Sequence, residues 1–250
     1  LTPAPDTPLT PLTLPEGENA MAFLEIDQVS FTYPKHDKPV LTEIDLQFDR
    51  AGITAVVGPN GCGKTTLTKL MIGVLQATEG EIRLTGRPIA DFSLAEIGRR
   101  VGYVFQNPDL QLFCGTVAEE VGFGPANLGY EPAAVAERVG FYLDYFELTA
   151  YRNTFPMHLS HGEKQRLAIA AVLANEPDFL ILDEPTTGLD AYRKRLLEDY
   201  LKKIARSGRG MILVSHDTAF VDRVAERVIV LENGRVIEDS RRKGKAADEA

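Results

Sequence analysis

A glycine-rich loop between a predicted strand and a predicted helix constrains the fold of this chain more than any other stretch. The loop follows an apolar run at residues 53–57 and precedes a helical pattern at residues 67–75. It fits the pattern G-x-x-x-x-G-K-[ST] and consists of Gly58, Pro59, Asn60, Gly61, Cys62, Gly63, Lys64, Thr65 and Thr66. Glycines let successive backbone N–H groups point at one anion, and the following helix adds its positive dipole end. The pattern therefore predicts a polyphosphate site, the alternative being an ordinary glycine turn.

Individual side chains of this loop are expected to make different contacts with a bound nucleotide. Lys64 is expected to reach the β- and γ-phosphates, and the Thr65 hydroxyl is expected to hold Mg²⁺. The predicted nucleotide-binding residues of the loop are Asn60, Gly61, Cys62, Gly63, Lys64, Thr65 and Thr66.

Composition narrows the class of protein. With 250 residues, 44% of them hydrophobic, the chain can bury the core of one large or two small domains. A net charge of -9 argues against nonspecific nucleic-acid binding, which needs an excess of Lys and Arg. Two cysteines, Cys62 and Cys114, indicate neither a disulfide framework nor a zinc site and fit a reducing compartment. Because no apolar run approaches about 18 residues and no signal peptide is evident, we expect any membrane role to act through a partner.

Periodicity predicts strands alternating with helices, which indicates an α/β core around a mostly parallel sheet. The predicted strands are residues 23–31, 43–48, 53–57, 81–85, 101–105, 179–182 and 211–214, with a terminal hairpin at 227–236 around Asn233 and Gly234. The predicted helices are residues 67–75, 117–121, 132–146, 163–174 and 191–206, with a helix-prone stretch at 93–96. We interpret residues 1–20 as a flexible Pro/Thr-rich extension, 21–240 as a single domain with a helical insertion at about 107–160, and 241–250 as a charged tail.

Two carboxylates follow directly on a continuous apolar run. Asp183 and Glu184 come after residues 179–182, at the carboxyl end of a predicted buried strand, where such sheets bind ligands. Asp183 suits Mg²⁺ coordination beside Thr65, and Glu184 suits the base that orients or deprotonates an attacking water. A solvated acidic pair at a strand end is the alternative.

A second candidate anion site lies at the start of the predicted helix 163–174. Ser160 and Gly162 can cap this helix and leave its N-terminal N–H groups facing outward. On the pattern alone, a plain helix cap explains these residues equally well.

Together these features resemble the ABC-transporter ATPase family over residues 23–239. The resemblance implies a P-loop NTPase fold with a mostly parallel core sheet, an N-terminal antiparallel β subdomain and the helical insertion. It further implies ATP and Mg²⁺ as cofactors, with Gln106 as a catalytic and metal-binding residue beside Lys64, and His216 as a catalytic residue beside Glu184. It identifies Tyr33 as the aromatic residue that stacks on adenine, and Ser160, Gly162 and Asp190 as nucleotide-binding residues. Taken singly, Gln106 could be a surface amide, His216 a helix-capping residue and Tyr33 a core aromatic.

The sequence departs from the family pattern at three positions. His161 replaces the first glycine of the signature stretch, Glu163 replaces its glutamine, and Cys62 stands where the family often has serine. Since Ser160 and Gly162 remain, the resemblance implies a competent signature. Because Cys62 is small and the backbone at this position does the binding, ATP binding is expected to persist. In this family two copies enclose each ATP, so we expect a dimeric partner, either a second copy or a related subunit.

Residues 104–113 and 116–125 resemble, more narrowly, the ATPases of energy-coupling-factor importers for cobalt, nickel, biotin and other vitamins. Leu112, Phe113 and Phe123 are predicted contacts for helices of integral membrane subunits, or else they pack the insertion. The resemblance implies a peripheral protein at the cytoplasmic face of the membrane that binds no nucleic acid. A soluble ABC-type ATPase acting on nucleic acid or the ribosome, or the ATPase of another importer or exporter, is the alternative.

Overall fold

The computed structural model describes residues 22–242, which fold around two β-sheets. The strands are β1 (Leu24–Phe31), β2 (Leu41–Phe48), β3 (Gly52–Val57), β4 (Glu79–Leu84), β5 (Arg87–Pro88), β6 (Val101–Val104), β7 (Phe179–Asp183), β8 (Gly210–Val214), β9 (Arg227–Glu232) and β10 (Arg235–Arg241). The α-helices are α1 (Lys64–Met71), α2 (Leu94–Arg100), α3 (Val117–Asn127), α4 (Pro132–Tyr145), α5 (His161–Leu173), α6 (Ala191–Arg206) and α7 (Thr218–Val224). The predicted extension at 1–20 and residues 243–250 of the predicted tail lie outside the described residues.

A four-stranded antiparallel sheet carries the N-terminal part of the fold. Its order is β2-β1-β4-β5, with Leu24 opposite Phe48 on β2 and opposite Leu84 on β4. Burial alternates along β2, as expected for strands that bury one face of a sheet. This sheet confirms the antiparallel β layer predicted near the N-terminus.

The second sheet has six strands and carries the carboxylates of the candidate site. Its order is β10-β9-β3-β8-β7-β6, and all neighbours are parallel except β9 and β10. The strands β7 and β8 are buried along their whole length, which explains why they read as continuous apolar runs. Because β3, β7 and β8 are parallel neighbours, the glycine-rich loop and Asp183 meet at the same edge of this sheet.

The parallel sheet separates two hydrophobic cores. Along β7, Phe179 and Ile181 face one core, and Leu180 and Leu182 face the other. The first core contains the antiparallel sheet and α1, and the second contains helices α3 to α6. The rings of Phe23 and Phe179 stack at 4.7 Å and tie the two sheets together.

Helices α3 and α4 belong to the helical insertion and pack on each other and on α5. An aromatic cluster joins α4 to α6, where the Tyr200 hydroxyl donates to the Tyr142 hydroxyl at 3.0 Å. Burial raises the pKa of Tyr142 to about 12, so both phenols stay neutral in the interior. The insertion is therefore attached to the core by packing and by buried hydrogen bonds. Among residues 22–242, no helix is both long and apolar enough to cross a bilayer.

Several predicted elements are confirmed with shifted ends. The helix predicted from residue 67 begins at Lys64, because Gly63 turns the chain into it with a positive φ of 108°. The terminal hairpin is confirmed, with positive φ at both Asn233 and Gly234, as a type I′ turn requires. Its second strand runs to Arg241, beyond the predicted end of the fold, because β10 pairs with β9 along its length. The short strand β5 and the helix α7 were not predicted.

Candidate nucleotide-binding site

The glycine-rich loop connects β3 to α1 in a conformation that depends on glycine. A Cβ atom at Gly58 would lie 2.0 Å from the Leu231 carbonyl oxygen, and one at Gly63 would lie 2.7 Å from Leu41 Cδ2. Gly63 is the N-cap of α1, and within the described residues no side chain caps this helix. The first turn of α1 holds no acidic residue. Its N–H groups and its dipole therefore favour an anion at this loop.

A cavity of about 300 Å³ opens over this loop at the carboxyl ends of the parallel strands. Its lining consists of Val40, Asn60, Gly61, Gly63, Lys64, Thr65, Thr66, Gln106, Asp183 and Glu184. The structure thus brings most of the predicted loop residues together with Gln106 and both predicted carboxylates, which are distant in sequence. Val40 was not predicted, and nothing in its type distinguishes it from other apolar residues.

Lys64 places a cation at the floor of this cavity. Its side chain is largely buried, and Nζ donates to the carbonyl oxygens of Gly58 at 2.8 Å and Pro59 at 2.9 Å. The Cys62 sulfur lies 4.0 Å from the same nitrogen and is buried beneath the loop. Lys64 is therefore held where it can contact a phosphate, whereas Cys62 contributes its backbone and a small buried side chain.

Asp183 accepts hydrogen bonds from two hydroxyl groups. Thr65 Oγ1 donates to its Oδ2 at 2.9 Å, and the Tyr103 hydroxyl donates to the same oxygen at 3.4 Å. The Tyr103 hydroxyl is also 2.9 Å from Thr68 Oγ1 on α1. Burial raises the pKa of Asp183 above its ordinary value, against the lowering effect of the Thr65 hydrogen bond. Tyr103 was not predicted, although the two-residue period of β6 puts it on the same face as Val101.

The residues around Asp183 fit a magnesium ion. Asp183 Oδ1 is buried and has no hydrogen-bond partner among the described residues, although it belongs to a carboxylate that lines the cavity. The Thr65 hydroxyl and the Gln106 amide line the same cavity, so the available ligands are oxygen atoms of the kind Mg²⁺ prefers. No group of three or more His, Cys, Asp or Glu side chains within residues 22–242 could hold a metal alone. Such an ion would share its coordination with phosphates, as Mg²⁺ commonly does.

Glu184 and His216 form a pair at the ends of adjacent strands. Glu184 Oε2 lies 2.8 Å from His216 Nδ1 and accepts from the His216 backbone N–H at 3.3 Å. Glu184 is 5% exposed, whereas the His216 side chain is largely exposed. The Glu184 backbone has a left-handed φ of 51°, a conformation that costs roughly 1 kcal/mol or more for a residue with a Cβ atom. Its N–H donates to the Val214 carbonyl at 2.8 Å, so β8 holds this strained residue in place.

Tyr33 lies beside the loop but outside the cavity lining. Its hydroxyl is 3.1 Å from Thr66 Oγ1, and its ring packs edge-on against Phe31 at 4.8 Å. This contact places an aromatic face near the start of α1. That it stacks on adenine stays a prediction.

The signature residues and Asp190 form a second region, away from the cavity lining. Ser160 is the N-cap of α5, and a Cβ atom at Gly162 would lie 2.7 Å from the Gly188 carbonyl oxygen. His161 packs its ring beside Gly188, and Asp190 is the N-cap of α6, where it pairs with Arg193. Within one copy, Gly162 therefore contacts the loop of Gly188 that precedes Asp190, and the cavity lining contains neither Ser160, Gly162 nor Asp190.

The side chain of Gln111, which was not predicted, ties the loop that follows Gln106 to helix α5. Gln111 Oε1 accepts from the Phe105 N–H at 3.0 Å, and Gln111 Nε2 donates to the Ala168 carbonyl at 3.4 Å. Lys164 on α5 also pairs with Asp109 at 2.8 Å. The chain around Gln106 is thus attached directly to α5.

The three residues predicted to contact membrane subunits, Leu112, Phe113 and Phe123, differ in their exposure. Phe113 is 64% exposed and Phe123 is 48% exposed, and their rings meet edge-on at 4.8 Å. For Leu112 the structure supports the alternative of packing within the fold, because this side chain is 5% exposed and belongs to the hydrophobic core that contains the insertion. Leu110, at 77% exposure, is another exposed apolar residue of this segment and was not predicted.

Fold and site together define an ATP-hydrolysing protein with a P-loop. The family profile described as ABC transporter matches residues 41–187 of this chain. The energy-coupling factor transporter ATP-binding protein EcfA of Methanothermobacter thermautotrophicus is 42% identical over 218 residues, which cover 86% of this chain and 70% of the relative. The chain belongs to the ABC transporter family and is an ATP-binding ATPase subunit of a transporter.

Two solved structures resemble the whole cassette. One is cbiO1 from Clostridium perfringens, part of the ABC transporter complex cbiONQ, with a TM-score of 0.75 and 32% identity over 88% of this chain and 89% of that chain. The other is a dimeric ATP-binding cassette in a post-hydrolysis state, bound to ADP and Pi, with a TM-score of 0.80 and 27% identity. It covers 88% of this chain and 99% of that chain. The P-loop fold predicted from the sequence is confirmed.

Proposed function

We propose that this chain is the ATP-hydrolysing subunit of an energy-coupling-factor importer for a transition-metal ion such as cobalt or nickel, or for a vitamin such as biotin. The observation that carries the proposal is the exposed pair Phe113 and Phe123 in the segment that follows Gln106. The names of similar proteins, the energy-coupling factor protein EcfA and cbiO1 of the complex cbiONQ, support the same class. We place the chain at the cytoplasmic face of the membrane, bound to integral subunits.

Residues that line the cavity or lie beside it would carry out ATP hydrolysis together. Lys64 and the N–H groups of the loop bind the phosphates, and His216 adds a hydrogen-bond donor beside Glu184. Thr65, Gln106 and Asp183 would hold Mg²⁺, which supplies charge neutralisation at the phosphates when it is bound. Glu184 orients the attacking water and accepts its proton. Tyr33 stacks on the adenine.

Ser160, Gly162 and Asp190 would complete the site of a second copy. These residues lie away from the cavity of their own chain, and the N-terminus of α5 is suited to an anion. A head-to-tail pair of chains brings this region of one copy against the cavity of the other. A homodimer would then hold two complete sites, and a related subunit could take the place of one copy. The similar cassette that is dimeric and bound to ADP and Pi supports a dimeric state.

The substitution Glu184→Gln tests the proposed hydrolytic site. The full chain carrying it should bind ATP as the native chain does, but hydrolysis should fall by about 100-fold or more, because the proton acceptor is lost. In the presence of ATP, a stable dimer of this variant should then accumulate, which size-exclusion chromatography with light scattering measures. Glu238→Gln, on the exposed edge strand β10, is the matched control and should behave as native.

The two readouts separate the two parts of this proposal. Unchanged turnover in Glu184→Gln would remove Glu184 from its role as a base. Lost turnover without an ATP-dependent dimer would leave that role intact and contradict the two-copy site.

The exposed aromatic pair is the proposed contact for helices of the membrane subunits. Buried Glu120 fixes the loop that presents it, since Glu120 Oε2 accepts from the N–H groups of Phe113 at 2.9 Å and Cys114 at 2.7 Å. Phe113→Ser should therefore leave folding and ATP binding unchanged but reduce recovery of the tagged chain with integral subunits. We expect a loss of about tenfold, the effect of truncating one well-packed aromatic anchor.

Ile237→Ser is the control for this loss, because Ile237 is an exposed apolar residue on β10. Equal recovery of the two variants would exclude Phe113 from the membrane contact. Recovery of the native chain with nucleic acid, falling steeply as salt rises, would instead support a soluble ATPase of nucleic-acid or ribosome type.

A further inference from the structure

The hydroxyl of Ser160 is already engaged within its own helix. Ser160 Oγ lies 2.7 Å from Glu163 Oε2, and the Ser160 N–H donates to the same oxygen at 2.8 Å. In return, the Glu163 N–H points to Ser160 Oγ at 3.4 Å. Since a hydroxyl has one hydrogen and a carboxylate has none, Ser160 must donate that hydrogen to Glu163.

The chain contains a second pair with the same geometry at the start of α2. Ser93 Oγ lies 2.7 Å from Glu96 Oε2, and the Ser93 N–H donates to Glu96 Oε2 at 2.8 Å. Both pairs are capping boxes, in which Ser and a Glu three residues later satisfy helix-terminal groups. The hydrogen bonds of Ser160 thus have a sufficient structural explanation, and any functional role must come from what differs at α5.

Two features separate the pair on α5 from the pair on α2. The Glu163 carboxylate also accepts a hydrogen bond from the Tyr151 hydroxyl, the largest cause of its lowered pKa, whereas the pKa of Glu96 is lowered first by its hydrogen bonds with Ser93. Ser160 also lies next to His161 and Gly162, which pack on the Gly188 loop in the region proposed to meet a second copy. The α5 pair therefore puts a fixed negative charge beside a hydroxyl that must contact an anion.

A phosphate oxygen competes poorly for Ser160 in this state. Phosphate oxygens accept hydrogen bonds, so Ser160 must donate its hydrogen to bind one. That hydrogen now belongs to a charge-assisted bond, which is stronger than a bond to a neutral acceptor. The Glu163 charge also opposes the attraction of the helix dipole for a second anion.

We propose that Glu163 is a positioning residue that retains the Ser160 hydroxyl and releases it only when a γ-phosphate bound to a second copy displaces the carboxylate. This inference rests on the two-copy site proposed above. Glu163 thereby sets how much ATP is needed to close the pair, and it does so without contributing to the cavity that binds ATP in its own chain.

The substitution Glu163→Gln tests this role because glutamine also completes a capping box but carries no charge. It should be made in the full chain together with Glu184→Gln, so that ATP-driven dimers persist. We expect half-maximal dimerisation at an ATP concentration roughly tenfold lower than for Glu184→Gln alone, the difference between releasing a charged and a neutral acceptor. ATP binding to the monomer, measured by fluorescence of a labelled nucleotide at low protein concentration, should stay the same.

Glu96→Gln in the same background is the matched control, since it changes the other capping box identically. It should leave the ATP requirement unchanged, and thermal unfolding of the two variants should shift by similar amounts. An unchanged or higher ATP requirement in the Glu163 variant would overturn the proposal. A much larger loss of thermal stability than in the Glu96 variant would overturn it too, since Glu163 would then serve the fold alone.

The variant Glu184→Gln alone shows whether a failure lies in the inference about Glu163 or in the proposed two-copy site. If Glu184→Gln alone forms no dimer with ATP, the two-copy site itself is wrong, and the inference about Glu163 falls with it. If that dimer forms, the response to Glu163→Gln decides the inference by itself.

Discussion

The helices α1 and α5 both begin at residues that the sequence marks as anion sites, yet their N-termini differ. The N-cap of α1 is Gly63, which has no side chain, and the first turn contains the cation Lys64. The N-cap of α5 is Ser160, and the first turn contains the anion Glu163, which accepts two hydrogen bonds from the cap residue. The N-terminus of α1 has no side-chain cap, so its N–H groups and dipole are available to a ligand. At the N-terminus of α5, the Ser160 and Glu163 side chains already satisfy some of the helix-terminal N–H groups.

This difference fits the two tasks proposed for the two helices. A terminus that must bind a polyphosphate within its own chain benefits from unpaired donors that are already in place. A terminus that meets an anion only when two copies approach is stable alone because its cap is satisfied. On this proposal, the N-terminus of α1 is an anion site within a single chain, whereas the N-terminus of α5 becomes an anion site only when two copies meet.

The largest expected effect comes from removing the cation of α1. Lys64→Ala should weaken ATP binding by about 100-fold or more, because charge-assisted contacts to the phosphates are lost. Isothermal titration calorimetry of the full chain measures this directly. Lys69→Ala, in the last turn of the same helix, is the control and should bind ATP normally.

Normal ATP affinity in Lys64→Ala would refute the assignment of the loop as the nucleotide site. It would also remove the contrast with α5, since neither helix terminus would then bind a ligand within its own chain.

The smallest expected effect comes from removing the serine caps. Ser160→Ala and Ser93→Ala should each cost about 1 kcal/mol of stability, measured by urea unfolding, because each removes an equivalent N-cap. Only Ser160→Ala should also raise the ATP concentration required for dimerisation when combined with Glu184→Gln. A loss for Ser160→Ala that exceeds the Ser93→Ala loss by several kcal/mol would show that the α5 cap is mainly structural.

The sequence predicts most of the fold because the elements near the site have strong local patterns. The strands β7 and β8 are buried on both faces and so read as uninterrupted apolar runs. The glycine-rich loop is predicted because its backbone needs glycine, and Asp183 because it ends a buried strand. These properties are visible within ten residues of each position.

What the sequence could not predict depends on contacts between distant segments. Leu112 and Phe113 are adjacent and both apolar, and only the packing of the insertion buries one and exposes the other. Tyr103 reaches Asp183 across 80 positions of sequence, and the pattern of β6 gives no sign of its hydroxyl contact. The left-handed backbone of Glu184 is likewise set by its bond to β8. Local propensity carries no information about such contacts.

Because side chains alternate along the strands of the parallel sheet, each face of the sheet borders a separate hydrophobic core. Phe179 and Ile181 belong to one interior, and Leu180 and Leu182 to the other, with Asp183 and Glu184 at the end of the same strand. Asp183 and Glu184, which we propose to hold Mg²⁺ and to activate water, therefore lie at the edge of the sheet, where the two hydrophobic cores end.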